Sequence, residues 1–411
     1  MGNTAVIDSH TVSAMAKKRI LFTVMGGTLG HVKRSLTIAR ALRRRDAEVE
    51  ISWLLNTTEA SILREEGERI LPESGELVDV GAGFAKRTKG YRFNLALVLG
   101  ALDNSFRKNF DVIARVTRAG EFDLLVGDTT IEIDFGFRRS PASKSCPYVI
   151  VHDFAGLDAM SRNPLAHILC YYLNWSWVRS RDSHDLGIVL AQKEDHLDRR
   201  FGVFLPNIRT FTRETETYVG YVPSFDPDAD LDRRSLRSRL GYGEEPLIIC
   251  SVGGSAVGDD LLQLCADSYP LIRREIPQVR MVLICGPRIP TDSINAPGEV
   301  EVLGYVPSLY EHFAACDLAI VHGGGTGMLE LTALRRPFIF FPLIEHGEQA
   351  WVARRAARWG AGVEMSFLET SPEQLTAAAI ANIGREATYP PIAIDGAERA
   401  AGLICELLDR S

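Results

Sequence analysis

No stretch of this chain reaches the roughly 18 to 20 uninterrupted apolar residues that a membrane span requires, and Met1 to Ala16 lacks the apolar block of a signal peptide. That leading segment is expected to be a disordered tail. Cysteine is sparse: there are seven, at 146, 170, 250, 265, 285, 316 and 405, with no CxxC spacing and several inside apolar runs. They read as reduced core thiols of a cytoplasmic protein, which excludes a disulfide frame or a zinc site. Basic charge is also short. The net charge of -7 leaves no field to attract phosphate backbones, so nucleic acid is excluded as a general partner. Asp226-Pro-Asp228 and Asp228-Ala-Asp230 imitate a metal-holding DxD, but no apolar strand precedes them. They are expected to be solvated turn residues, and neither a metal nor another cofactor is expected.

What is present is apolar sequence in quantity, 46% of 411 residues. That length exceeds one ordinary core and suits two domains of about 200 residues each. Short buried-strand runs alternate with helical patterns in both halves. In the first, Ile20 to Met25, Val49 to Leu55, Phe122 to Val126, Tyr148 to Val151 and Leu186 to Leu190 read as strands. In the second, Leu247 to Val252, Val279 to Cys285, Val300 to Leu303, Cys316 to Val321 and Pro337 to Pro342 do so. Such alternation predicts α/β architecture, with parallel sheets covered by helices and ligands at the carboxyl ends of the strands. Acidic residues and proline near Tyr218 to Asp230 mark the crossing between halves. The expected division is a tail at 1–16, a first domain at 17–218, a linker at 219–230, a second domain at 231–393 and a C-terminal helix at 394–411.

Each half carries a strand, a glycine turn and a helix. The first reads Gly26-Gly27-Thr28-Leu29-Gly30-His31, then a helix with Val32, Leu36, Ala39 and Leu42 on one face. The second reads His322-Gly323-Gly324-Gly325-Thr326-Gly327, then Met328, Leu331 and Leu334. Glycines let a ligand approach the backbone, and free amides at a helix start attract an anion, so a phosphate is the natural occupant. Gly253 and Ser255, after the strand at 247, form another loop that could face a diphosphate. Glu330 could accept hydrogen bonds from a ribose, and Gln349 from a sugar.

At these residues the chain resembles nucleotide-sugar glycosyltransferases of the GT-B fold, two Rossmann-like domains facing across a cleft. His322, Gly323, Gly324, Glu330, Pro337 and Pro342 fall in register with the family pattern. Glu348-Gln349 follows at the spacing of the branch containing the bacterial lipid-linked GlcNAc transferases. The chain departs from the pattern in having Thr326-Gly327 where the family has Gly-Thr, which displaces that hydroxyl by one residue. The resemblance implies that Gly30 and His31 open the first helix with a catalytic base, and that Asp128 is the carboxylate orienting it, with Asp153 in competition. It further implies that Tyr305 and Val306 lie against the nucleotide base, and that Gly324, Gly325, Thr326 and Gly327 meet the phosphates.

The expected activity is inverting, metal-independent transfer of a sugar, from a UDP-sugar first or a dTDP-sugar second, to a hydroxyl of a hydrophobic or amphipathic acceptor. A sugar-nucleotide epimerase of the same fold is one alternative, but it needs acids and bases around the sugar. A non-catalytic sugar-nucleotide-binding subunit is another, and it would need no base such as His31. Phe93 to Leu102 and Ala166 to Trp177 read as helices that either belong to the core, wall an acceptor pocket or touch a membrane surface. Tyr171, Tyr172, Trp175 and Trp177, followed by Arg179 and Arg181, suit the last.

Overall fold

The computed structural model describes residues 17–26, 29–79, 95–160, 162–254, 257–344 and 346–410. The side chains at 57–58 and 95–103 are also outside that description, and with them most of the Phe93 to Leu102 segment. The first sheet contains β1 (Lys18–Val24), β2 (Val49–Leu54), β3 (Arg69–Ile70), β4 (Leu124–Asp128), β5 (Tyr148–His152), β6 (Leu186–Val189) and β7 (Thr217–Tyr218). Its order is β3-β2-β1-β4-β5-β6-β7. The second contains β8 (Leu247–Ser251), β9 (Arg280–Ile284), β10 (Glu301–Leu303), β11 (Leu318–His322), β12 (Phe338–Phe341) and β13 (Val363–Glu364), in the order β10-β9-β8-β11-β12-β13. Every pairing in both sheets is parallel.

The buried character of the strand sequences follows from this arrangement. With helices on both faces, a central strand has no solvent side, so β4, β5, β8 and β11 are buried at all five positions. The chain reverses its direction of winding at β1/β4 and again at β8/β11. A crevice opens at each such reversal, beyond the strand ends, and here the two crevices face each other. Three strands, β3, β7 and β13, are missing from the sequence reading. Each has two residues, too few to display a period, and exists only through its pairing with a neighbour.

Two crossings join the sheets, and they run side by side. Tyr221 N–H donates to Ala393 O at 2.9 Å, and Gly396 N–H to Tyr221 O at 3.1 Å. The helix Gly396–Leu408 then packs Ala400, Ala401 and Ile404 among Val32, Leu36 and Ala39 of the first domain's helix Leu29–Arg45. Arg44 and Lys18 pair with Glu398 and Asp409 beside this contact. In the first crossing, Asp226 Oδ1 accepts from Asp228 N–H and Asp230 Oδ1 from Asp232 N–H, the local bonds of turns.

Candidate active site

A cavity of about 400 Å³ lies between the two sheets at the carboxyl ends of β1, β5, β8 and β11. The first domain contributes Gly30 and His31 to its wall, and Asp153 from just beyond β5. The second contributes Gly253, Tyr305, Val306, His322, Gly324, Gly325, Thr326, Gly327, Glu330, Glu348 and Gln349. Asp128 stands behind His31, while Ser255 lies outside the described residues, as do Gly27 and Thr28. The sequence-selected residues of the two halves therefore face one space.

His31 sits in the first turn of the helix Leu29–Arg45 and is 5% exposed. Its Nδ1 is 2.8 Å from Asp128 Oδ1, which favours the tautomer with Nδ1 protonated and leaves Nε2 as the available base. Asp128 is heavily engaged. Arg34 Nε and Nη2 donate to its two oxygens at 2.7 and 2.5 Å, Ser35 Oγ donates at 2.8 Å and Thr129 Oγ1 at 2.9 Å. Burial by itself would raise the Asp128 pKa. The charges of Arg34 and His31 and their hydrogen bonds outweigh it and hold the carboxyl far below its ordinary range. Thr129 has φ 57°, a left-handed conformation that β-branched residues seldom adopt. That backbone turns its hydroxyl onto Asp128. Asp153 does not touch His31 through a hydrogen bond; it stands 3.0 Å from Arg34 Nη1.

In the second domain, the helix Gly325–Ala333 begins two residues after β11 and has no side-chain cap. Its first amides and dipole are thus directed at the cavity, an arrangement suited to phosphate. His322 is buried, and burial together with His346 pushes its pKa down to about 3, so its imidazole is neutral. Gln349 is engaged within its own domain: its Oε1 accepts from Leu343 N–H at 2.6 Å and its Nε2 lies 3.4 Å from His322 Nδ1. Glu330 Oε1 accepts from both the amide and the hydroxyl of Ser224, a residue of the crossing. Burial raises the Glu330 pKa to about 7 despite those bonds. Tyr305 has a half-buried ring at the cavity wall, and its pKa is raised by burial against the opposing influence of Lys33 from the other domain.

The two halves approach closely at their glycines. A Cβ at Gly30 would fall 2.3 Å from Thr326 Oγ1, and one at Gly254 would fall 2.3 Å from Leu29 Cβ. The space for His31 beside the helix Gly325–Ala333 thus depends on two absent side chains. Sequence reading passed over Arg34, although its place three residues after His31 puts both on one helix face. It also passed over Arg355, whose Nη2 lies 3.8 Å from where a Gly325 Cβ would be.

Beyond His31 the wall turns apolar and aromatic, with Phe106, Phe135, Phe154, Trp177 and, from the second domain, Trp351. The helix Pro164–Arg179 divides its aromatics between two faces. Trp177 is buried on the cavity, whereas Tyr171 and Tyr172 are 40% and 47% exposed. No helix among the described residues is long and apolar enough to cross a membrane.

Two Rossmann-like sheets facing across a cleft, with the His31–Asp128 pair in one wall and the uncapped helix start at Gly325 in the other, are the architecture of a glycosyltransferase of the GT-B fold. Residues 248–390 match the glycosyltransferase family 28 C-terminal domain, and the second domain is of that type. The chain is 23% identical over 367 residues to the UDP-N-acetylglucosamine–N-acetylmuramyl-(pentapeptide) pyrophosphoryl-undecaprenol N-acetylglucosamine transferase of Symbiobacterium thermophilum, covering 86% of this chain and 84% of the relative. Its fold is similar to that of the kitacinnamycin glycosyltransferase, with a TM-score of 0.61 and 15% identity over 96% of this chain and 99% of the other. A Streptomyces sp. SF2575 glycosyltransferase, SsfS6, solved with thymidine diphosphate, is similar at a TM-score of 0.57 and 17% identity, over 96% of this chain and all of that one.

Proposed function

We propose that the protein is an inverting, metal-independent glycosyltransferase that moves a sugar from a nucleoside diphosphate to a hydroxyl of an apolar or amphipathic, lipid-like acceptor. UDP-N-acetylglucosamine, the donor named for the Symbiobacterium relative, is the first candidate donor, and a dTDP-sugar is the second. One observation carries this reading: the His31–Asp128 pair opens onto the same cavity as the uncapped helix start at Gly325. The acceptor hydroxyl passes its proton to His31 Nε2 while its oxygen bonds to the anomeric carbon. The bond from that carbon to the diphosphate breaks, and the new negative charge meets the amides of Gly325 to Gly327 and the helix dipole. Preorganised donors of this kind are typically worth several kcal/mol in the transition state. The reading is tested by a donor screen that records nucleoside diphosphate release with and without EDTA. Release from UDP-N-acetylglucosamine that resists EDTA supports it, and loss of release in EDTA sinks metal independence.

Glu330 is proposed to receive the ribose hydroxyls, with Ser224 as the crossing residue that holds its carboxyl. Glu330→Ala is expected to weaken binding of the nucleoside diphosphate by about 1.5 to 3 kcal/mol, the worth of hydrogen bonds to a charged group. Burial pushes the carboxyl up to about 7, and its ionised form is the better acceptor. Affinity in the wild type should therefore rise with pH through neutrality, and Glu330→Gln should abolish that rise. Calorimetry showing equal affinities and equal pH slopes would remove the role.

The apolar acceptor also bears on where the enzyme works. Leu165, Ile168, Val203 and Phe204 are 68%, 66%, 67% and 92% exposed. Tyr171 OH, bonded to Val203 O at 3.0 Å, holds their two segments together. Arg162 and Arg200 are exposed nearby in the chain. Apolar side chains bordered by cations suit the surface of an anionic bilayer, and we place the protein in the cytoplasm with this face on the membrane. The double variant Ile168→Ser, Phe204→Ser should reduce affinity for phosphatidylglycerol vesicles, read by co-sedimentation, by roughly a hundredfold or more, given the usual worth of two buried apolar side chains. Unchanged sedimentation would rule out this face.

A further inference from the structure

The base has an unusual neighbour. Arg34, 6% exposed, lies one turn after His31 and forks onto Asp128 with Nε and Nη2, while Nη1 stands 3.0 Å from Asp153 Oδ1. Its Nη2 is also 2.9 Å from His31 Nδ1. In a bare histidine–carboxylate pair, the carboxylate stabilises the imidazolium that forms when the histidine takes a proton. Here the guanidinium neutralises that carboxylate, and it sits against the ring nitrogen. With only these three groups, proton uptake would leave a net positive cluster in a buried place. Asp153 changes the sum. With His31 protonated, two cations face two carboxylates.

We propose that Asp153, acting through Arg34, supplies the counter-charge for the proton that His31 takes from the acceptor, and that Arg34 is the positioning residue that locks Asp128 against the ring. This rests on the reading of His31 as the base. The groups facing the pair come from every adjoining element. Arg34 and Lys33 stand on the helix of His31, with Lys33 bonded to Glu66 at 2.9 Å. Asp128 ends β4 and Thr129 follows it. Asp153 follows β5, where His152 is paired below with Glu216 at 2.8 Å. From the second domain come Arg355 and the helix start at Gly325. A Cβ on Gly325 would lie 3.9 Å from Asp153 Oδ2, so Asp153 also borders the place assigned to the diphosphate. Arriving negative charge there adds to the need for Arg34 and Arg355 on either side.

The two substitutions have opposite signs, which a packing role alone would not produce. Asp153→Asn removes negative charge, so the acidic limb of the kcat/KM profile should move down by about one pH unit, and the plateau rate should fall as the base weakens. Arg34→Gln removes positive charge, so the limb should move up by a similar amount. Asp153→Glu and Arg34→Lys keep the charges and should leave the limb in place, which guards against variants that fold poorly. The profiles would be measured on the full chain with UDP-sugar and a hydroxyl acceptor, beside His31→Ala. An inactive His31→Ala with a limb unmoved in Asp153→Asn, or limbs moving the same way in both charge-removing variants, overturns the inference while leaving the base reading intact. Turnover retained in His31→Ala overturns both.

Discussion

His31→Ala is expected to lose turnover by roughly a hundredfold or more, the usual cost of removing a general base, while binding of the nucleoside diphosphate stays near the wild-type value. The separation of the two effects follows from the geometry. His31 belongs to the first domain, whereas the helix start at Gly325, Glu330 and Gln349 belong to the second. Folding should also survive. Asp128 would keep Arg34, Ser35 and Thr129 as donors after the imidazole is gone, so no buried carboxylate is left without partners. Steady-state turnover with the acceptor, and calorimetry with UDP, measure the two quantities separately. Wild-type turnover on an acceptor that must be deprotonated would end the assignment of His31 as base.

The second large effect is expected from a methyl group. Gly254→Ala would place a Cβ 2.3 Å from Leu29 Cβ and 3.2 Å from Leu29 N. Leu29 begins the helix that carries His31, and its Cβ cannot swing aside as the end of a flexible side chain could. The loop after β8 and the start of that helix must separate. A displacement near 1 Å at a reacting group costs up to about a hundredfold in rate, and a loss in kcat approaching that size is expected. The melting temperature should change little, because the contact lies between domains and the alanine enters neither core. Gly30→Ala should be milder, since Thr326 can rotate its hydroxyl away. Solution scattering would show Gly254→Ala more open than the wild type. Unchanged kcat would mean that the close approach at Leu29 plays no part in the chemistry.

The amino-acid sequence by itself determined the alternation of strand and helix, both glycine turns and the identity of the residues gathered there. Those are local properties. A run such as Leu247 to Val252 is apolar because it is buried on both faces, and its observed strand, Leu247–Ser251, ends one residue away from the reading. A glycine run between a strand and a helix needs only its neighbours to be recognised. The order of strands within each sheet is different in kind. It puts β4 beside β1 and β5 beside β4, and so brings Asp128 and Asp153 to either side of Arg34. Nothing within a few residues of Arg34 announces partners 94 or more positions away. The choice between Asp128 and Asp153 as partner of His31 was likewise left to the fold, which gives Asp128 the direct bond and Asp153 a place behind the guanidinium. The same holds for the helix Pro164–Arg179, whose aromatic run contains both a cavity wall and a solvent face. Composition is shared by the two faces, and only packing against Phe154 and its neighbours separates Trp177 from Tyr172. Tertiary structure decided these points because charge pairing and burial depend on distances through space, which strand order sets and local pattern does not encode.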